Sequence, residues 1–224
     1  MARSVAAIFA HPDDEVLACG ASLAKHADAG DKVHILILAT GLASRGEVEK
    51  EAVEALRRQA WAAADILGAA GITFGDFPDN RMDTVPLLSV VQHVERFLAE
   101  VRPLLVYTHH GGDLNVDHRI VQQAVVTAFR PIPGTPPHEI RACEVNSSTE
   151  WSVGSLASFE PNLFEPVDTT LERKVDALAC YEDELRDWPH PRSLDGVRAL
   201  ARWRGAQCGR DSAEAFALVR KVVE

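Results

Sequence analysis

Short apolar runs that end at polar clusters alternate with longer amphipathic stretches from Ser4 to about Val145, the pattern of an α/β chain built on a mainly parallel sheet. Strands are predicted near residues 5–10, 33–39, 72–74, 104–108 and 140–145. Helices are predicted between them at 15–29, 47–67, 87–101 and 117–129, closed in turn by Gly30, Gly68, Pro103 and Pro131. In the second of these, Val53, Leu56, Ala60 and Ala64 recur at three- and four-residue steps, which makes it a surface helix with one face on the sheet. Residues 130–137, with Pro131, Pro133, Pro136 and Pro137, read as a turn-rich linker. Beyond the linker the alternation is lost. A strand is expected at 162–167, and helices at 171–185, 194–203 and Ala213–Val222.

The length of 224 residues suits one domain, with 1–145 as an α/β core and 146–224 as a C-terminal elaboration placed over the active face. A net charge of -10 without a dense Lys/Arg run argues against nucleic acid or an anionic membrane as partner and leaves a small polar molecule as the expected one. No segment has the length of a membrane span, and the apolar run before His11 is too short for a signal peptide. The four cysteines, Cys19, Cys143, Cys180 and Cys208, form no Cys-x-x-Cys pair, which fits a reducing cytoplasm and argues against a thiolate metal site. Apolar helical faces leave room for a homo-oligomer.

Chemistry concentrates at two strand ends. His11-Pro12-Asp13-Asp14-Glu15 follows the first apolar run, and His109-His110-Gly111-Gly112-Asp113-Leu114-Asn115-Val116-Asp117-His118 follows the run at 104–107. Ligands of an open α/β sheet bind beyond the carboxyl ends of its strands. There His11, Asp14 and His118 can bind one divalent ion and leave a coordination position for water, with Asp13 beside it as general base. Asp13 or Asp14 could instead simply cap the following helix. Asp117 could cap its own helix, or orient a metal-bound histidine through the second imidazole nitrogen.

With the weaker match Pro78-Asp79-Asn80-Arg81-Met82-Asp83 between them, these clusters resemble the PIG-L/LmbE family of zinc-dependent de-N-acetylases. The resemblance implies a Rossmann-like three-layer α/β fold, a zinc ion on His11, Asp14 and His118, and Asp13 as base. It also implies removal of the acetyl group from an N-acetylated amino sugar or its conjugate. Several family members carry a histidine where this chain has Asn115, three residues before the last metal ligand. Asn115 can donate a hydrogen bond to an oxyanion but supplies no proton as imidazolium does. His110, or Asp13 returning the proton it accepted, are the remaining acids, and His109 and His110 could equally be structural loop histidines.

Arg45, Asn80, Asp83, His190 and Arg192 are candidate substrate contacts, the last two from the loop Trp188-Pro189-His190-Pro191-Arg192-Ser193. Trp151, Trp203 and Phe216 read as core residues. His26, His34, His93 and His138 stand apart from both clusters and read as surface or structural. Two histidines and a carboxylate also suit Fe2+, Co2+ or Mn2+, so a non-haem iron enzyme is an alternative, as is a sugar-binding module with an idle site. A water-activating acid at Asp13 is superfluous in a module that only binds.

Overall fold

The computed structural model describes residues 2–39, 50–133, 138–154 and 156–223. Its chain order is β1 Ser4–Phe9, α1 Asp14–Asp28, β2 Lys32–Ala39, α2 Lys50–Leu67, β3 Gly71–Phe77, α3 Leu87–Val101, β4 Leu105–His109, α4 Val116–Ala128, β5 His138–Cys143, β6 Leu163–Pro166, α5 Leu171–Ala179, α6 Leu194–Cys208 and β7 Ala213–Val222. The strands form one seven-stranded sheet in the order β3-β2-β1-β4-β5-β7-β6. β1 to β5 pair in parallel, while β7 runs antiparallel between β5 and β6.

β1 lies at the centre of the parallel part, and its residues from Val5 to Phe9 are wholly shielded from solvent, so it reads as a continuous apolar run without alternation. One face of the sheet packs against α1, α2, α5 and α6 through Leu23, Leu67, Leu178 and Val197. The other packs against α3 and α4 through Val94, Leu98, Val121 and Val125. The result is the three-layer arrangement expected from the sequence. The chain leaves β1 outward to β2 and β3, then returns to β4 on β1's other side, which creates a switch point between the ends of β1 and β4.

The segment 213–222 is a strand and not the expected helix. Its alanines, leucine and glutamate are good helix formers, but local propensity is worth only tenths of a kcal/mol per residue and pairing on both edges with β5 and β6 outweighs it. The helix expected at 171–185 ends at Ala179 and continues as turns, whereas α6 runs past 203 to Cys208, where Gly209 at φ 72 closes it. Phe216 is core as expected, but Trp151 and Trp203 are 47% and 62% exposed. Both sit on elements whose inward faces are taken by smaller residues, such as Thr149 in the first case and Val197, Ala201 and Gly205 in the second. No described helix is long and apolar enough to cross a membrane.

α1 is broken at Cys19, which has φ -148 and ψ 18. At this break the carbonyl of Leu17 and the amides of Ala21 and Ser22 take partners from the C-terminal segment. Lys174 Nζ donates to Leu17 O at 2.8 Å, and the Glu214 carboxylate accepts from Ala21 N at 3.1 Å and Ser22 N at 2.7 Å. Lys174 and Glu214 also pair with each other at 2.6 Å, both buried. Removing one member would leave the other charge buried and unpaired. Lys174→Met should therefore cost about 3–5 kcal/mol of stability, read from urea unfolding, and replacing both residues by apolar ones should cost less than Lys174→Met alone.

Candidate metal centre

The site lies at the switch point. Val5 to Ile8 of β1 pair level with Leu105 to Thr108 of β4, so the loops after the two strands emerge side by side. His11 and Asp14 come from the first loop and the start of α1, and His118 from the first turn of α4. His11 Nδ1, Asp14 Oδ2 and His118 Nε2 form a near-equilateral triangle with sides of 3.2, 3.2 and 3.3 Å. Ligand bonds of about 2.0–2.1 Å at tetrahedral angles require donors about 3.3–3.4 Å apart, so the triangle fits a zinc-sized ion. The three residues form a metal-binding triad. The other oxygen of the same carboxylate, Asp14 Oδ1, is buried with no hydrogen-bond partner among the described residues, as fits a carboxylate that is to carry a cation.

Each triad histidine presents its other nitrogen to carboxylate. His11 Nε2 faces Asp117 at 3.1 Å and Asp79 at 3.2 Å, while His118 Nδ1 faces Asp113 at 3.0 Å. Such pairs fix the tautomer that turns the free lone pair toward an ion. The supporting acids are themselves held. Asp117 accepts from Asn80 N at 2.6 Å and Met82 N at 2.9 Å, and Asp113 accepts from the hydroxyls of Ser148 and Thr149. His11, Asp79 and Asp117 also lie close enough to hold an ion, but both Asp117 oxygens are occupied by backbone amides, and that set reads better as support for the triad.

Burial alone would lower the pKa of His11, but its hydrogen bonds to Asp117, Asp14 and Asp79 outweigh burial and raise it. His109 goes the other way: burial and the neighbouring His118 depress it well below the ordinary value. Its ring stacks on His118 at 3.8 Å, and its Nε2 accepts from Ala10 N at 2.9 Å. That lone pair is thereby engaged, so His109 acts as a wall of the site and not as a fourth ligand.

Asp13 sits beside the triad without joining it. It takes φ 99, a backbone region rarely populated by a residue other than glycine and costing of order 1–3 kcal/mol. Its side chain caps nothing, so the capping alternative fails for Asp13, and Asp14 Oδ2 likewise turns back to His11 N at 2.9 Å. Burial raises the Asp13 pKa to about 7, with the Arg192 guanidinium opposing and Asp14 adding to the rise. Arg192 Nη1 lies 3.2 Å from Asp13 Oδ2 and 3.3 Å from Glu184, and its Nε donates to Ser147 Oγ.

A family profile described as GlcNAc-PI de-N-acetylase, PIG-L, matches residues 6–129. The chain belongs to the PIG-L family. It is 31% identical over 172 residues to the uncharacterized deacetylase YaiS of Escherichia coli K12, covering 74% of this chain and 82% of that protein. It is also 28% identical over 231 residues to the 4-oxalmesaconate hydratase of Pseudomonas putida KT2440, covering 93% and 82%. In fold it resembles the N,N'-diacetylchitobiose deacetylase of Pyrococcus horikoshii, with a TM-score of 0.77 over 97% of this chain and 84% of that one at 18% identity.

Within this PIG-L site the remaining expected residues are unequally placed. Asn115 is the N-cap of α4: its Oδ1 accepts from Asp117 N at 2.8 Å and its Nδ2 donates to Asn80 Oδ1 at 2.9 Å, which leaves one amide hydrogen uncommitted. Asn80, at φ 52, is a turn residue that links Asn115 to Asp79 and Asp117. His110 is outside the triad; its Nδ1 accepts from Gly112 N, and its ring stands edge-on to Phe159. His190 Nδ1 accepts from Arg192 N, and its ring is edge-on to Trp151. Asp83 is exposed on a 3-10 turn at Met82–Thr84 and is not brought to the triad. Arg45 lies outside the described residues.

Asp79 and Asp113 lie within the motifs read from the sequence without a role of their own, and Ser148 and Thr149 lie outside them. The available signal was position: Asp79 and Asp113 also follow strands β3 and β4. Gly112 belongs to the same closure, since a Cβ there would lie 1.9 Å from Ala157 O. Asp117→Asn and Asp113→Asn should each weaken metal affinity by about 10–100-fold while the fold persists, measured by competition with a chromogenic chelator.

Proposed function

We propose that this protein is a metal-dependent amidohydrolase that removes the acetyl group from an N-acetylated amino sugar or its conjugate, releasing acetate and a primary amine. The observation that supports this most directly is the triangle of His11, Asp14 and His118 donors, with the Asp13 carboxylate outside the triangle and paired with Arg192. The three residues would hold zinc, or another divalent ion of similar size, whose chemistry there is to polarise a carbonyl and to bring the pKa of water toward neutrality. Asp13 then serves as the base that removes a proton from water and returns it to the departing nitrogen. Arg192 keeps the Asp13 carboxylate oriented from the side of Oδ2. The free hydrogen of the Asn115 amide is available to the oxyanion that forms as water adds to the acetamide carbon.

The relatives' named activities differ: one is a deacetylase, which supports the reaction class, and another a hydratase, which does not. A diacetylchitobiose deacetylase of Thermococcus kodakarensis is 25% identical over 97% of this chain, and the Pseudomonas relative is by name a hydratase.

The test is a screen of N-acetylated sugars, nucleotide sugars and glycosides, with 4-oxalmesaconate as a comparison substrate and metal content measured on the same sample. Equimolar acetate and amine from at least one sugar, abolished by a chelator and restored by zinc, is the expected result. Turnover of 4-oxalmesaconate with no acetate from any sugar would overturn it. Asp13→Ala should keep the metal and lose about 10²–10⁴-fold in turnover, whereas His11→Ala and His118→Ala should lose the metal. An Asp13→Ala variant as fast as the parent would remove the base from this mechanism.

A further inference from the structure

We propose that Glu15 and Tyr181 form a positioning pair for Asp13, holding the strained peptide that aims its carboxylate beside the metal-binding triad; this rests on the reading of Asp13 as the base. A non-glycine residue at φ 99 stays there only if its surroundings hold it from several sides. On the carbonyl side the restraint is the start of α1, where Val16 N and Leu17 N donate to Asp13 O at 3.1 and 2.9 Å. On the amide side it is Glu15, whose Oε2 accepts from Asp13 N at 3.2 Å.

Glu15 is itself fixed. The Tyr181 hydroxyl donates to its other oxygen at 2.5 Å, and neither side chain is exposed to solvent. Tyr181 opens the turn after α5: its carbonyl accepts from Glu184 N and Leu185 N, and its ring belongs to the core that packs under β1 and β4. Glu184 in the same turn pairs with Arg192, which pairs with Asp13 Oδ2. One turn of the C-terminal segment thus reaches both the amide and the carboxylate of Asp13.

A pair that served only the core would leave catalysis alone when replaced by apolar groups of similar shape; loss of both partners of the Glu15–Tyr181 hydrogen bond is close to neutral for stability, and the cost that remains is that of the Asp13 amide left without its acceptor, which is the restraint under test. The Glu15→Leu/Tyr181→Phe double variant makes the distinction. The expected outcome is a folded protein with the parent's zinc stoichiometry and KM but kcat lower by about 100-fold, the scale of a small misplacement of a reacting group. Glu15→Gln retains an acceptor for the Asp13 amide and should keep kcat within about tenfold of the parent. Parental kcat in the double variant overturns the proposal.

If the double variant does not fold, Tyr181→Phe alone decides, with kcat expected to fall about tenfold at unchanged KM and an unchanged kcat overturning the proposal. A crystal structure of the zinc-loaded variant separates failure of this proposal from failure of the deacetylase reading. Asp13 leaving positive φ supports the positioning role whatever substrate the parent accepts, and Asp13 retained near its present φ refutes it.

Discussion

Five carboxylates, those of Asp13, Asp14, Asp79, Asp113 and Asp117, are buried around two imidazoles where β1 and β4 end, and this concentration of buried charge is the constraint on which the rest of the structure depends. Uncompensated buried charge is expensive, so each acid must find a partner in a fixed direction. Asp117 and Asp113 find one in an imidazole nitrogen and further ones in backbone amides or hydroxyls. Asp14 satisfies one oxygen and leaves the other without a partner. The triad of His11, Asp14 and His118 is where a cation would offset that charge.

The parallel sheet supplies the precision. A central strand buried along its length leaves little freedom to its carboxyl end, and pairing in register with β4 sets the heights of the two loops relative to one another. The C-terminal segment then closes the arrangement at several points. Ser148 and Thr149 hold Asp113, Arg192 meets Asp13, and Lys174 and Glu214 repair the break in α1. The segment is therefore part of the site's support.

The relatives differ in named activity, one a deacetylase and one a hydratase, and membership of a family does not by itself fix the reaction, which has to be argued from the site. In this chain the loop that carries Trp188, His190 and Arg192 and the short turn that carries Trp151 border the site. Trp151 is exposed, which places an aromatic face at the surface where the sequence had suggested core.

The sequence by itself determined the parallel core, the strand ends at which chemistry collects, and the identities of His11, Asp14 and His118, because apolar periodicity and strand-end position are local properties of the chain. It did not disclose that 213–222 is a strand, since its partners β5 and β6 are distant in sequence and their pairing outweighs local preference. Nor did it disclose which acid meets which imidazole nitrogen, or that Tyr181 reaches Glu15. Those pairings depend on side-chain direction after packing. Only the tertiary structure decides it, because residues far apart along the chain have no local signal of the angle at which they meet.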